Sequence, residues 1–292
     1  MSNKRNEVFG STSAVESTAK NIEAMQTVSA NDWLEKEFGF KTQVYEVPLP
    51  SKGLLYPEGH PLHLVESVEF LPISTREEDI IRNKKLIENK TMGSELIRSC
   101  LVNKRIDPKT LFPGDALAIL YAIRTASYGA EYTTKVKCQS CGTVQKATID
   151  LGELDIKEMP EEDIVPGVAV FSTKLPVSGI TVEYRIFTED ESAKLGDEND
   201  AREKRGVPSA NSTVAMQSLI VSANGVSERG KINLLASRLP GQDALHLRQE
   251  VAKHEPGIIN KYLFSCKNSD CRHEAMQGIP FGIEFWLPEA DV

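Results

Sequence analysis

The sequence is short of most features that announce chemistry. Its 292 residues include five histidines, His60, His63, His246, His254 and His273. None stands in an HExxH pattern, and no His-Cys-Asp nucleophilic arrangement is visible. Lys52-Gly53 lacks the upstream GxxxxG of a phosphate loop, so nucleotide binding of that kind is excluded. Excess basic charge is missing too: 34 Lys and Arg face 42 Asp and Glu, for a net charge of −8. An acidic chain grips phosphate backbones poorly, which argues against nucleic acid as a partner. The longest apolar run, Ala116 to Ile123, is too short to cross a bilayer, so no membrane is expected. Met1 to Arg5 lead into polar residues, and no secretory signal is expected. Hydrophobic content is 40%, enough for two cores.

Cysteine is scarce but patterned. Four of the five stand in two knuckles, Cys138-Gln-Ser-Cys141 and Cys266-Lys-Asn-Ser-Asp-Cys271, with 124 residues between them. A short loop can present two thiolates to one side of an ion. Two such loops complete a tetrahedral shell with no open position, the pattern of a structural zinc (Zn²⁺) rather than a catalytic one. Cys138, Cys141, Cys266 and Cys271 are therefore the candidate metal ligands, with His273 as an alternative to Cys271. A redox CxxC is disfavoured, because the second pair has four intervening residues and no thioredoxin-like βαβ surrounds the first. Cys100 lies on the apolar face of a predicted helix and reads as core.

The pattern along the chain predicts an α+β protein. Residues 1–30 are rich in Ser, Thr, Asn and Glu and read as a flexible arm. Residues 31–61 read as an extended segment with a short helix, Asn31 to Phe38, ended by Gly39. His63 to Ile73 alternates as a strand. Ser74 to Glu78 reads as a capped helix start, with that helix reaching Asn89. Further helices are predicted over Ser94–Val102 and Ala116–Ser127, the latter capped by Gly129. Strands Tyr132–Lys137 and Gln145–Leu151 flank the first knuckle in a zinc-ribbon layout. Residues 153–177 read as an acidic, solvated connector. Beyond it, 197–212 reads as a loop or frayed helix end. Helices are expected over Val214–Ala223, Ile232–Ser237 and Asp243–His254, and an extended apolar stretch over Ile279–Leu287. Glu77-Glu78-Asp79 and Glu189-Asp190-Glu191 are explained by helix dipoles and capping. Glu250 and His254 read as a surface pair.

The two halves echo each other. Leu111-Phe-Pro-Gly-Asp-Ala-Leu117 resembles Leu239-Pro-Gly-Gln-Asp-Ala-Leu245. Asp115 and Asp243, Gly129 and Gly257, and Cys138 and Cys266 share one spacing of 128 residues. A strand, helices and a knuckle are thus expected twice, over 62–152 and 178–292, as two pseudo-symmetric repeats. Each repeat brings half a ligand set, so one metal would staple both.

Pro50 to Gly53 with Tyr56-Pro57, the Glu77-Glu78-Asp79 helix start, and Arg124 to Gly129 leading into Val136 to Gly142 resemble the T4-like bacteriophage baseplate hub family, hub subunits and hub assembly proteins. The likeness is carried by residues 46–155. It implies a protein of a contractile phage tail, made in the host cytoplasm and acting in the virion baseplate or in its assembly. The implied partners are other tail and baseplate proteins, with no small-molecule substrate and no enzymatic activity. Residues 50–56, the N-terminal arm and a C-terminal strand at Phe281–Leu287 are the expected contact surfaces. A zinc-ribbon nucleic-acid adaptor is the alternative reading.

Overall fold

The computed structural model describes residues 35–288, except Glu158 and 205–210. The expected arm at 1–30 and the first residues of the expected Asn31–Phe38 helix lie outside the described residues. The chain divides into two units, 1–44 and 45–292. In the first, residues 35–38 are helical. Gly39 ends them at φ +64°, its N–H bonded to the Glu35 carbonyl at 2.9 Å.

The second unit is α+β, as the pattern predicts. Strand Tyr45–Pro48 pairs antiparallel with Ser67–Phe70. Residues 49–66 between them turn tightly through Gly53, at φ +71°, where any Cβ would lie 2.3 Å from the Val65 nitrogen. This segment is not the exposed contact surface expected of it: Leu49, Ser51, Leu55 and Tyr56 are all buried. The cause is Asp115, whose carboxylate accepts from the Ser51 N–H (2.9 Å), the Ser51 hydroxyl (2.6 Å) and the Tyr56 hydroxyl (2.7 Å).

Helix Thr75–Ile81 carries the expected capping box, in which the Glu77 carboxylate accepts from the Ser74 N–H at 3.0 Å. It does not reach Asn89. Asn83 caps a separate helix, Lys84–Glu88, by accepting from the N–H groups of Lys85 and Leu86. Helix Met92–Cys100 follows, with Cys100 in the core and its thiol pushed up to about 12 by burial. The long central helix Pro113–Tyr128 starts on a proline at its first position. Gly129 closes it at φ +84°, donating to the Thr125 carbonyl at 2.9 Å.

The connector is more than a solvated link. Ile156–Lys157 pairs antiparallel with Gly257–Ile258. Lys157 donates to the carbonyls of Ala252 and Glu255, where a cation suits the end of helix Gly241–His254. A three-stranded antiparallel sheet follows, Val170–Lys174, Thr181–Arg185 and Ile220–Ala223. The helix expected over Val214–Ala223 stops at Leu219, because buried, β-branched Ile220 starts a strand beside Tyr184. The region from 197, expected as a loop or a frayed helix end, is the end of helix Glu189–Lys204, supported by the Asp190–Lys194 pair at 2.5 Å. His254 is not a surface residue. Its ring is buried and stacked on Phe171 at 4.2 Å, with Nδ1 2.9 Å from the Tyr184 hydroxyl.

The C-terminal strand expected at Phe281–Leu287 is instead a short helix, Ile283–Trp286, and Phe285 and Trp286 are buried. Phe285 packs edge-on against Tyr121 and Tyr132 at 5.6 and 5.1 Å. Arg124 holds it there by donating to the Phe285 carbonyl. Packing thus outcompetes the β-propensity of this stretch. Sequence composition allowed two cores, but the buried residues from Val47 to Trp286 form one contiguous cluster, with a small satellite around Cys138 and Cys266.

The central helix also leans on the chain that feeds the second knuckle. A Cβ on Gly114 would stand 1.9 Å from the Pro256 oxygen and 2.6 Å from the Gly257 Cα. Backbone would have to move, so Gly114→Ala should destabilise by about 1–3 kcal/mol despite the better helix propensity of alanine. Urea unfolding is the measurement, with a lower midpoint at unchanged slope as the expected result.

Candidate metal centre

Two hairpins carry the knuckles. Glu131–Lys137 pairs with Val144–Asp150, and Lys261–Ser265 pairs with Glu274–Gly278. On the first hairpin, burial alternates residue by residue, with Tyr132, Thr134 and Val136 inward and Lys135 and Lys137 outward. That period of two aims Cys138 inward as the strand ends. Each knuckle is closed by its own backbone. Cys138 N–H donates to Thr143 O at 2.9 Å, and Cys266 N–H donates to His273 O at 2.8 Å. The residue after each second cysteine is left-handed, Gly142 at φ +75° and Arg272 at φ +47°.

The structure brings all four knuckle cysteines together. Their sulfurs lie within 4.8 Å of one another. Cys138 and Cys271 are 3.9 Å apart, and Cys141 and Cys266 3.7 Å, and both of these pairs cross between hairpins. Four sulfurs around one zinc at about 2.3 Å form a tetrahedron with edges of about 3.8 Å. The donor set and spacing therefore fit a tetrahedral metal. His273 contributes its backbone carbonyl to the second knuckle and no ring nitrogen to the sulfur cluster.

The surroundings are unequal. Cys138 and Cys266 are buried, with Val136 and Phe264 beside them and Ala147 and Tyr262 packed against the cluster. Cys141 is exposed. A hydrogen bond with the Thr143 hydroxyl, and then the Thr143 N–H, hold the Cys141 thiol down at about 6. Cys266 goes the other way, to about 12: the Asn268 N–H opposes the shift, but burial and the other three sulfurs outweigh it. A divalent cation among the four would hold them as thiolates.

One residue that joins the two hairpins escaped the sequence reading. Gln145 joins the hairpins like a rung of sheet: its Nε2 donates to Ser265 O at 2.8 Å, and its Oε1 accepts from Lys267 N–H at 2.8 Å. Lys267 Nζ adds a bond to Lys146 O at 3.0 Å. A primary amide can imitate a peptide group in this way, but nothing local in the sequence marks this glutamine out.

The model of the family described as T4 bacteriophage base plate protein matches residues 44–280, most of the chain and both knuckles. The chain belongs to that family. Searches of curated proteins and of solved structures found no match. The matched region of this baseplate-family chain contains both hairpins, the central helix and the three-stranded sheet.

The second knuckle is the strained one, since Arg272 holds a left-handed backbone that glycine holds in the first. Arg272→Gly should raise stability by about 0.5–1 kcal/mol, read as a higher thermal midpoint at unchanged metal content. A lower midpoint would mean that the Arg272 side chain, which donates to Ser269 O at 3.2 Å, matters more than the backbone.

Proposed function

We propose that this chain is a non-enzymatic structural or assembly protein of a contractile phage tail, working in the baseplate hub and held together by one structural zinc on Cys138, Cys141, Cys266 and Cys271. The observation that carries the proposal is the meeting of four thiols from two hairpins inside a baseplate-family chain. Four thiolates would fill a tetrahedral shell and leave zinc no position for substrate. A metal so held joins distant segments, and its apparent binding energy of about 10–16 kcal/mol becomes folding energy.

The halves are read as two pseudo-symmetric repeats, 62–152 and 178–292, across the connector at 153–177. Several pairs of local structures support this. Asp115 and Asp243 are each the third residue of a long helix, and each is fully buried. Each turns back to the segment before it, Asp115 to Ser51, and Asp243 to the N–H groups of Val177 (2.8 Å) and Ser178 (3.0 Å). Burial opposes the charge on Asp243, but those N–H groups hold it below the usual carboxylate range. Glu77 and Glu191 each accept from an N–H three residues earlier, Ser74 and Thr188. The knuckles share their left-handed closing residue.

Two measurements test the reading. The purified protein should carry one zinc per chain by elemental analysis, and Cys138→Ser should lose it together with a large drop in thermal midpoint. Zinc retained with unchanged folding would remove the closed site. Mass analysis of purified virions decides the second part: presence at constant stoichiometry marks a baseplate component, and absence leaves the assembly role in the host cytoplasm.

A further inference from the structure

The outer face of the two hairpins is not explained by the fold. Lys135 and Lys146 stand directly opposite each other across the first hairpin, and both are exposed. Like charges so placed destabilise a strand pair. Lys137 follows on the same face, opposite exposed Val144. Among the described residues, no carboxylate lies within ion-pair distance of Lys135, Lys137 or Lys146. The acids of this face lie apart from the three lysines: Glu131 and Asp150 oppose each other at the far end of the hairpin, and Glu274 is engaged by the Ser265 hydroxyl. The chain as a whole is acidic, so three adjacent lysines without partners stand against its general balance.

Beside the lysines lies an apolar pair. Leu263 and Met276 face each other across the second hairpin and are 65% and 57% exposed. Between the hairpins runs a groove of about 300 Å³, with Ala147 and Thr148 on one wall and Leu263 and Phe264 on the other. The Gln145 and Lys267 bonds close it at the metal end. Along that groove the edge of strand Val144–Asp150 has no strand partner among the described residues, and neither has the facing edge of Lys261–Ser265. Unpaired strand edges are templates for a further strand.

We propose that this face captures an extended, carboxylate-rich segment of a partner protein, which adds as a strand along the open part of the Val144–Asp150 edge, beyond Lys146. Its backbone completes the ladder, its acidic side chains meet Lys135, Lys137 and Lys146, and its apolar side chains rest on Leu263 and Met276. Alternation of side chains along a strand supplies both kinds of contact at once. Nucleic acid fits less well. Phe264 is buried and Tyr262 half-buried where they line the groove, so the face lacks a fully exposed aromatic for base stacking, and it offers an apolar pair that phosphate does not use. A zinc tetrathiolate would add two negative charges at the closed end, where Lys137, Lys267 and Arg272 stand near the knuckles.

The test uses the full-length protein and fluorescein-labelled peptides of about eight residues, the length of a strand. One alternates Val and Glu, one alternates Val and Lys, and a third is the Val-Glu peptide N-methylated on alternate residues. An oligothymidylate serves as the nucleic-acid probe. By fluorescence anisotropy, the protein should bind the Val-Glu peptide at least about tenfold more tightly than the other three probes, one charge-assisted contact being worth about that factor. Lys135→Glu with Lys146→Glu should reverse the preference toward the Val-Lys peptide. Both positions are exposed, so unchanged circular dichroism and zinc content identify a folded variant. Equal binding of both charges, undiminished binding of the N-methylated peptide, tighter binding of the oligothymidylate, or no binding of the Val-Glu peptide would each overturn the proposal.

Discussion

A charged group is buried at great cost unless every one of its hydrogen-bonding positions is answered, and the central helix Pro113–Tyr128 buries two. At its first turn Asp115 is fully buried, and burial raises its pKa against the bonds from Ser51 and Tyr56. Near its end Arg124 is 1% exposed and has no carboxylate partner among the described residues. Its guanidinium donates to the carbonyls of Phe285, Gly129 and Glu131 and lies over the rings of Tyr128 and Phe285. The two ends therefore recruit opposite parts of the chain. One draws in the 51–56 turn. The other draws in the C-terminal helix and the start of the first hairpin. Removing either partner set would leave a charge unsatisfied in the core.

The same helix sets up the sulfur cluster. Its last turn passes through Gly129 directly into the first hairpin, and its first turn lies against Pro256 and Gly257, which lead into the second. Both hairpins are thereby referenced to one rigid rod. Gln145 and Lys267 bring their knuckle ends into register, and the sulfurs meet at separations close to a tetrahedron's edge.

Much of this was legible locally. The knuckles, the hairpin around the first of them, the Ser74 capping box and the Gly129 closure are all short-range, decided by spacing, hydroxyl caps and glycine backbone freedom. The failures share a different cause. The 50–56 segment read as exposed because its prolines and glycine forbid regular structure, yet Asp115, far along the chain, buries it. Phe281–Leu287 read as a strand because its residues favour one, yet the ring cluster of Tyr121, Tyr132 and Phe285 coils it into a helical turn. Val214–Ala223 read as one helix because periodicity cannot tell a buried helix end from a buried strand. His254 read as a surface residue because its i−4 neighbour is charged, and only the sheet packed over it makes it core.

By itself, the sequence determined which atoms are available to a metal, since two cysteines a few residues apart can only present their sulfurs together. It also carries one 128-residue spacing shared by Asp115 and Asp243, Gly129 and Gly257, and Cys138 and Cys266. Tertiary structure alone decided that the two sulfur pairs meet, that Gln145 rather than a strand ladder aligns them, and that lysines and an apolar pair face outward beside them. The reason is range. Knuckle geometry is a matter of neighbouring dihedral angles, whereas the meeting of distant hairpins depends on where a buried helix must find partners for its charges.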